Sequence, residues 1–252
     1  MPVAGTQPFG RLDGRRAFVS GGARGIGAAI ARSFAEARAH VVIADLDTET
    51  ASALAGQIGA TAVRLDVGDA DMVQAIMTQH GPFDIVVNNA GVDQHAFFTD
   101  TTPEHWARLL AVNLVSVFAC THAALPAMQA AGFGRIINIT SEAARLGSRG
   151  GAVYSAAKGG VIAFTKSIAR ENARFGITAN SIAPGPIRTP MLEAAVAKGG
   201  DKILDAMTDA TLLRRLGEPE EVAAAARFLA SDQAAYITGE IIGVSGGMGV
   251  GG

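Results

Sequence analysis

One cysteine in 252 residues, Cys120, leaves no possibility of an internal disulfide, and its neighbours are mostly apolar. Such usage fits a reducing, intracellular compartment. Charge of neither sign is in excess, since 21 basic against 23 acidic residues give a formal net charge of -2. The composition therefore carries no footprint for nucleic acid or an anionic membrane surface. No uninterrupted apolar run reaches the roughly 18 residues that suggest a membrane span. Met1 to Gly10 lack the basic-then-apolar order of a signal peptide. Five histidines, at 40, 80, 95, 105 and 122, show neither H-x-x-x-H nor paired-carboxylate spacing, so no metal site is expected. Together these absences lead to the expectation of a cytoplasmic protein with no nucleic-acid and no membrane partner.

What the chain has in abundance is glycine, 31 residues, most of them between apolar segments where turns or close backbone approaches are needed. The apolar segments alternate in kind. Short β-rich runs stand at Ala17–Ser20, His40–Asp45, Thr61–Asp66, Phe83–Asn88, Arg135–Thr140, Ile177–Ile182 and Ile241–Val244. Ala-rich stretches with helical spacing lie at 26–38, 48–58, 69–80, 103–131, 153–175 and 219–230. The alternation predicts an α/β domain of βαβ units, with a seven-stranded parallel sheet covered on both faces. The length suits a single such domain over 12–252, preceded by a loose arm at 1–11. Residues 186–218 break the alternation and are expected to form an insertion that covers a substrate.

The first β-run ends at Ser20 and enters Gly21-Gly22-Ala23-Arg24-Gly25-Ile26-Gly27. A glycine turn between strand and helix lets the backbone approach a pyrophosphate, which then sits on the helix N-terminus. The spacing is G-x-x-x-G-x-G, a weak signal alone, strengthened by the flanking strand and helix and by an acid ending the next strand. That acid is Asp45, with Leu46 beside it as a further cofactor contact. A carboxylate there accepts from both ribose hydroxyls of an adenosine and repels a 2′-phosphate; its bland alternative is a turn or N-cap aspartate. Arg24 pulls the other way, because a guanidinium in the turn binds a 2′-phosphate or the pyrophosphate. The fixed acid outweighs one mobile arginine, and NAD is the expected cofactor.

Tyr154 and Lys158 stand at i and i+4 on one helical face. A lysine charge beside a phenol, together with the positive nicotinamide of NAD⁺, favours the phenolate and is expected to bring its pKa toward the working range. The pair alone is common on helix surfaces. Ser141, 13 residues earlier at the end of a β-run, puts a hydroxyl where such sheets carry ligand contacts.

With these pieces the chain resembles the classical short-chain dehydrogenase/reductase family over nearly its whole length. The resembling residues are SGGARGIG at 20–27, Asp66-Val67, Asn88-Asn89-Ala90-Gly91, Asn113, Ser141, Tyr154-x-x-x-Lys158 and Pro184-Gly185 followed by Ile187-Arg188-Thr189. The resemblance implies a Rossmann fold with strand order 3-2-1-4-5-6-7, a homotetramer, and hydride transfer between NAD(H) and a secondary alcohol or ketone. It implies Tyr154 as general acid/base, Ser141 on the substrate oxygen, Lys158 on the nicotinamide ribose and Asn113 holding a water of a proton relay. Asp66 and Val67 would flank adenine, Asn89 and Gly91 line the adenosine side, and Ile187 and Thr189 meet the carboxamide. Ser20 departs from the usual threonine but keeps a hydroxyl to brace the turn.

The substrate is written less sharply. Val92–His95, Glu142–Arg145, Gly147–Val153 and 186–212 are expected to wall the pocket, with His95 on its rim. Arg145, Arg149 and Arg188 are either anion-binding groups at the mouth or solvated surface charges. Met191, Leu192, Ile203, Leu204 and Met207 make the insertion apolar enough for a hydrophobic substrate. NITSEAARLGSRGGAVYSAAKGG and IAPGPIRTP are similar to the branch containing 2-hydroxycyclohexanecarboxyl-CoA dehydrogenase, and approach the 3-oxoacyl-[acyl-carrier-protein] reductases. Three readings follow: a dehydrogenase of a cyclic or hydroxyacyl alcohol, a 3-oxoacyl-[acyl-carrier-protein] reductase-like enzyme, and a dinucleotide-binding scaffold without catalysis.

Overall fold

In the computed structural model, which describes residues 9–250, the chain alternates strand and helix as its apolar pattern predicts. The strands are β1 (Arg16–Ser20), β2 (His40–Asp45), β3 (Thr61–Arg64), β4 (Ile85–Asn88), β5 (Gly134–Ile139), β6 (Ile177–Pro184) and β7 (Ile241–Val244). They form one seven-stranded sheet in the order β3-β2-β1-β4-β5-β6-β7, every pairing parallel. The helices are α1 (Gly25–Glu36), α2 (Thr48–Ile58), α3 (Ala70–His80), α4 (Pro103–Leu110), α5 (Ser116–Ala131), α6 (Ala143–Leu146), α7 (Ala152–Asn172), α8 (Pro190–Gly199), α9 (Asp201–Asp209) and α10 (Pro219–Ala230).

Strand side chains alternate between faces, so a buried parallel sheet generates two cores. Ala17, Val19, Ile43, Ile85, Val87 and Ile137 pack with Ile30, Phe34, Leu54, Val222, Ala226 and Leu229 on one face. Phe18, Val42, Val86 and Ile136 pack with Val73, Met77, Cys120, Ala124, Met128 and Ile168 on the other. Cys120 belongs to this second core, and burial pushes its thiol up to about 12, which removes it from nucleophilic work.

Within that second face runs a polar ladder. Asn88, Asn138 and Ser181 are neighbours in register across β4, β5 and β6. Asn88 Nδ2 donates to Thr121 Oγ1 on α5 at 3.3 Å and to Asn138 Oδ1 at 2.8 Å. Asn138 Nδ2 and Ser181 Oγ both donate to Thr165 Oγ1 on α7, at 2.8 and 2.9 Å. Buried polar groups with matched partners have few alternative arrangements. The ladder therefore fixes α5 and α7 against the strands whose ends build the site.

Three features refine the sequence expectation. The stretch 103–131 is not one regular helix: a π-helical turn, Ala111–Val115, separates α4 from α5 and carries Asn113. This combined span, Pro103–Ala131, is long and apolar enough by length and composition to cross a bilayer, but Val117, Cys120, Thr121, Ala124 and Met128 commit one face to the core. Residues 186–218, which break the alternation, contain α8 and α9, and their ends are joined by a parallel bridge between Ile187 and Gly217. Of the arm expected at 1–11, residues 1–8 lie outside the described residues. The rest is tied to α10, where Phe9 stacks on Phe228 and the Gly10 carbonyl accepts from Arg227 Nε at 2.8 Å.

Candidate active site

The sheet presents the C-terminal ends of its strands to one edge, and the expected site residues gather there, as parallel α/β sheets place their ligands. β1 runs into the glycine turn, whose closeness is physical rather than merely compositional. A Cβ on Gly27 would stand 2.1 Å from the Gly21 carbonyl oxygen and 2.5 Å from Asn89 Nδ2, so no side chain fits. Ser20 braces this corner as expected: its Oγ accepts from the Asn89 and Ala90 N–H groups at 3.0 and 3.2 Å. The Asn89 amide donates back to the Ser20 and Gly21 carbonyls at 3.0 and 2.8 Å. Asn89 thus shapes the turn with the side chain that was expected to line the adenosine.

Helix α1 starts at Arg24 with no side-chain cap and no acid in its first turn. Its opening N–H groups and the positive end of its dipole are left for an anion, the donor set that a dinucleotide pyrophosphate requires. Gly25 and Ile26 open this helix, with Thr189 at the head of α8 close against Gly25: a Cβ there would meet Thr189 Cγ2 at 3.2 Å. Ile187 is buried just before it. Asp45 ends β2 against the turn, its Oδ2 accepting from Ala23 N–H and its Oδ1 from Asp47 N–H, both at 3.0 Å. Each oxygen keeps a further lone pair for a ribose hydroxyl. Leu46 stands exposed beside it, while Asp66, just past β3, turns Oδ1 onto Gly68 N–H at 2.9 Å and Val67 is buried. Arg24 is held by the neighbouring βα turn. Its guanidinium lies on Asp47 and on Thr50 Oγ1, because the N-terminus of α2 offers it two fixed acceptors.

The catalytic candidates come from three elements. Asn113 is fully buried; its Nδ2 donates to the Val92 and Leu109 carbonyls at 2.9 and 3.0 Å, and its Oδ1 accepts from Val92 N–H at 3.1 Å. Its side chain is saturated by the protein, and the π turn, a distortion frequent at functional sites, sets its main chain apart from the regular helix. Ser141 follows β5. Tyr154 and Lys158 lie on the first turns of α7, with Lys158 Nζ 5.9 Å from the Tyr154 ring centre and donating to the Ile139 carbonyl at 2.9 Å. Gly91 closes the group: a Cβ on it would stand 2.9 Å from Asn113 Oδ1 and 3.5 Å from Lys158 Nζ.

In the protein alone, burial dominates the electrostatics of the pair. Burial first, and then the Asp93 carboxylate, push the Tyr154 phenol up to about 12, against a smaller downward pull from the nearby Ser141 hydroxyl. Burial brings the Lys158 ammonium down to about 8, opposed by the same Asp93. Desolvation disfavours both charged forms, and the nearby lysine does not overcome it.

Two residues expected only as parts of the pocket wall have more definite partners. Gln94, buried, accepts from Val153 N–H at 3.1 Å and from Tyr154 N–H at 3.3 Å through Oε1, and donates to the Ala96 carbonyl. It caps α7 from another loop. The signal was negative: Gly151 occupies the N-cap position and has no side chain to do so. Glu142, next to Ser141, is buried and paired with Arg145 at 3.3 Å. Among the other rim groups, His95 is exposed and pairs with Asp93 at 3.3 Å, Arg149 lies over the Phe97 ring, and Arg188 pairs with Glu218. Among the described residues no cluster of three or more metal-ligating side chains occurs.

Residues 21–249 match the family described as enoyl-(acyl carrier protein) reductase. The chain is 41% identical over 240 residues to an acetoacetyl-CoA reductase of Rhizobium meliloti (strain 1021), covering 92% of this chain and 98% of the relative. It is 40% identical over 247 residues to the 3-oxoacyl-[acyl-carrier-protein] reductase FabG of Vibrio cholerae, covering 94% and 98%. Among solved structures, a provisionally assigned gluconate dehydrogenase from Agrobacterium tumefaciens superposes with a TM-score of 0.92 at 32% identity, over 97% of this chain and 99% of that one. The chain belongs to the short-chain dehydrogenase/reductase family, NAD(P)-linked oxidoreductases that interconvert a CH–OH carbon and a ketone.

Proposed function

We propose that the protein interconverts a secondary alcohol and its ketone with NAD(H), using Tyr154 as general acid/base. The observation that carries this reading is the Lys158 ammonium 5.9 Å from the Tyr154 ring centre, with the Ser141 hydroxyl near enough to the phenol to pull its pKa down. Bound nicotinamide would supply the hydride acceptor or donor. In oxidation, Ser141 holds the substrate oxygen and Tyr154 takes its proton; in reduction the phenol returns it. Lys158, released from the Ile139 carbonyl, would hold the nicotinamide ribose. Asn113 keeps Val92 in place, and its main-chain position in the π turn suits the water relay that the family resemblance implies.

Asp45 supports NAD over NADP, because a fixed negative charge at the ribose end of the turn opposes a 2′-phosphate. For the substrate we favour a hydroxyacyl thioester or a cyclic secondary alcohol. A 3-oxoacyl-[acyl-carrier-protein] reductase-like activity is the second reading, supported by the 40% identity to FabG of Vibrio cholerae. A non-catalytic scaffold is disfavoured by the presence of all four catalytic groups. We also propose a homotetramer. Leu110, Val115 and Phe118 leave apolar surface exposed on α4, the π turn and α5. Mass photometry should report a species of four chains, and a stable monomer at micromolar concentration would remove the proposal.

Tyr154→Phe keeps the ring and removes the transferable proton. Turnover with secondary alcohols and 3-hydroxyacyl-CoAs should fall at least ~100-fold, the scale of general acid–base catalysis, with NADH affinity little changed. A variant retaining a tenth of wild-type turnover would take Tyr154 out of this role.

A pH profile tests the electrostatics. Alcohol oxidation needs the phenolate, so its rate rises as pH climbs through the tyrosine pKa. Asp93 raises that pKa. Asp93→Asn should therefore move the rising limb of kcat/KM to lower pH; an unmoved limb, or one moved upward, would contradict the assignment.

A further inference from the structure

The turn between β2 and α2 carries two acids, and the glycine turn is laced to both. Ala23 donates to Asp45, and the next residue, Arg24, places its guanidinium on Asp47. Asp47 is itself held: its Oδ1 accepts from Thr50 N–H at 3.0 Å and its Oδ2 from Thr50 Oγ1 at 2.9 Å, as the N-cap of α2. These bonds, together with the Arg24 charge, hold its carboxyl below the usual range, so it is ionised wherever Arg24 needs a partner. Thr50 Oγ1 gives Arg24 a second contact at 3.1 Å.

A cation in the glycine turn is what a 2′-phosphate needs. We propose that Asp47 is a specificity-determining residue, which holds the Arg24 guanidinium at the α2 N-terminus and withholds it from the 2′-phosphate of NADP. The proposal rests on the reading of Asp45 as the ribose acid and adds a second, separable contribution. Asp45 repels the phosphate directly, whereas Asp47 acts through Arg24. An exposed ion pair between two freely rotating side chains contributes little, but here the carboxylate is immobilised by Thr50 and only the arginine loses freedom. The effect is on choice between cofactors, since an NAD ribose makes no use of the arginine.

Dissociation constants for NADH and NADPH, measured by calorimetry, separate these contributions without turnover. Asp47→Ser keeps an N-cap oxygen for Thr50 and frees Arg24; Asp47→Asn keeps the cap shape and removes only the charge. Both should tighten NADPH about 5-fold, the upper end for an exposed ion pair, and leave NADH unchanged. In an Arg24→Ala background neither substitution should alter NADPH. NADPH affinity unmoved by both variants would overturn the proposal. So would a gain that persists without Arg24, which would assign it to another cation such as Arg64, the neighbour of Asp45 across β2 and β3. Asp45→Ser, in parallel, reads the underlying assignment: an unchanged NADH-to-NADPH ratio there would remove Asp45 from the ribose, whereas the Asp47 comparison still reports where Arg24 is held.

Discussion

The segment Gly91–Ala96 is held from both sides, and the catalytic geometry depends on how. The Asn113 amide takes both main-chain groups of Val92. Two residues on, the Gln94 amide takes the first free N–H groups of α7, one of them belonging to Tyr154 itself. The π turn and α7 are far apart in sequence, yet a six-residue loop bonds to both. Gly91 has no side chain because Asn113 and Lys158 already occupy the space a Cβ would need. Side chains on such a frame are set before substrate arrives, and preorganisation of this kind is where much of an enzyme's rate enhancement originates.

Behind the loop, the ladder from Thr121 through Asn88, Asn138 and Thr165 to Ser181 anchors the same two helical spans to the sheet. Thr140 Oγ1 adds a bond to the Lys158 carbonyl at 3.0 Å. Burial that fixes these positions also raises the phenol and lowers the ammonium, so rigid placement is obtained at the expense of ionisation. The positive charge of an oxidised nicotinamide would relieve the first of these shifts. Binding and proton transfer are thereby coupled through charge as well as through geometry.

Much of this was legible in the sequence because it depends on local pattern. Buried parallel strands are continuous apolar runs, and all seven were placed to within two residues. Glycine positions marked the turn, and Tyr154, Lys158 and Ser141 declared themselves by spacing and resemblance. What was not legible depends on partners distant in the chain. Gln94 caps a helix that begins some sixty residues later, and no propensity at position 94 says so. The acceptor that holds Arg24, Asp47, is supplied by the next βα turn, and no pattern at position 24 announces it. The burial that raises the Tyr154 phenol in the protein alone was illegible for the same reason: lysine proximity is visible in an i, i+4 pair, but desolvation is a property of the packed fold.

Gln94 tests most directly whether the loop from Gly91 to Ala96 positions Tyr154, the proposed general acid/base. Gln94→Leu preserves much of the side-chain volume but leaves the Val153 and Tyr154 N–H groups without their acceptor; Gln94→Glu keeps an acceptor. Single-turnover hydride transfer and NADH affinity should be measured for both. The account predicts a fall of ~10–100-fold in the chemical step for the leucine variant, the scale of a small misplacement, with NADH affinity near wild type and the glutamate variant largely restored. Wild-type hydride transfer in Gln94→Leu, or equal loss in both variants, would contradict it.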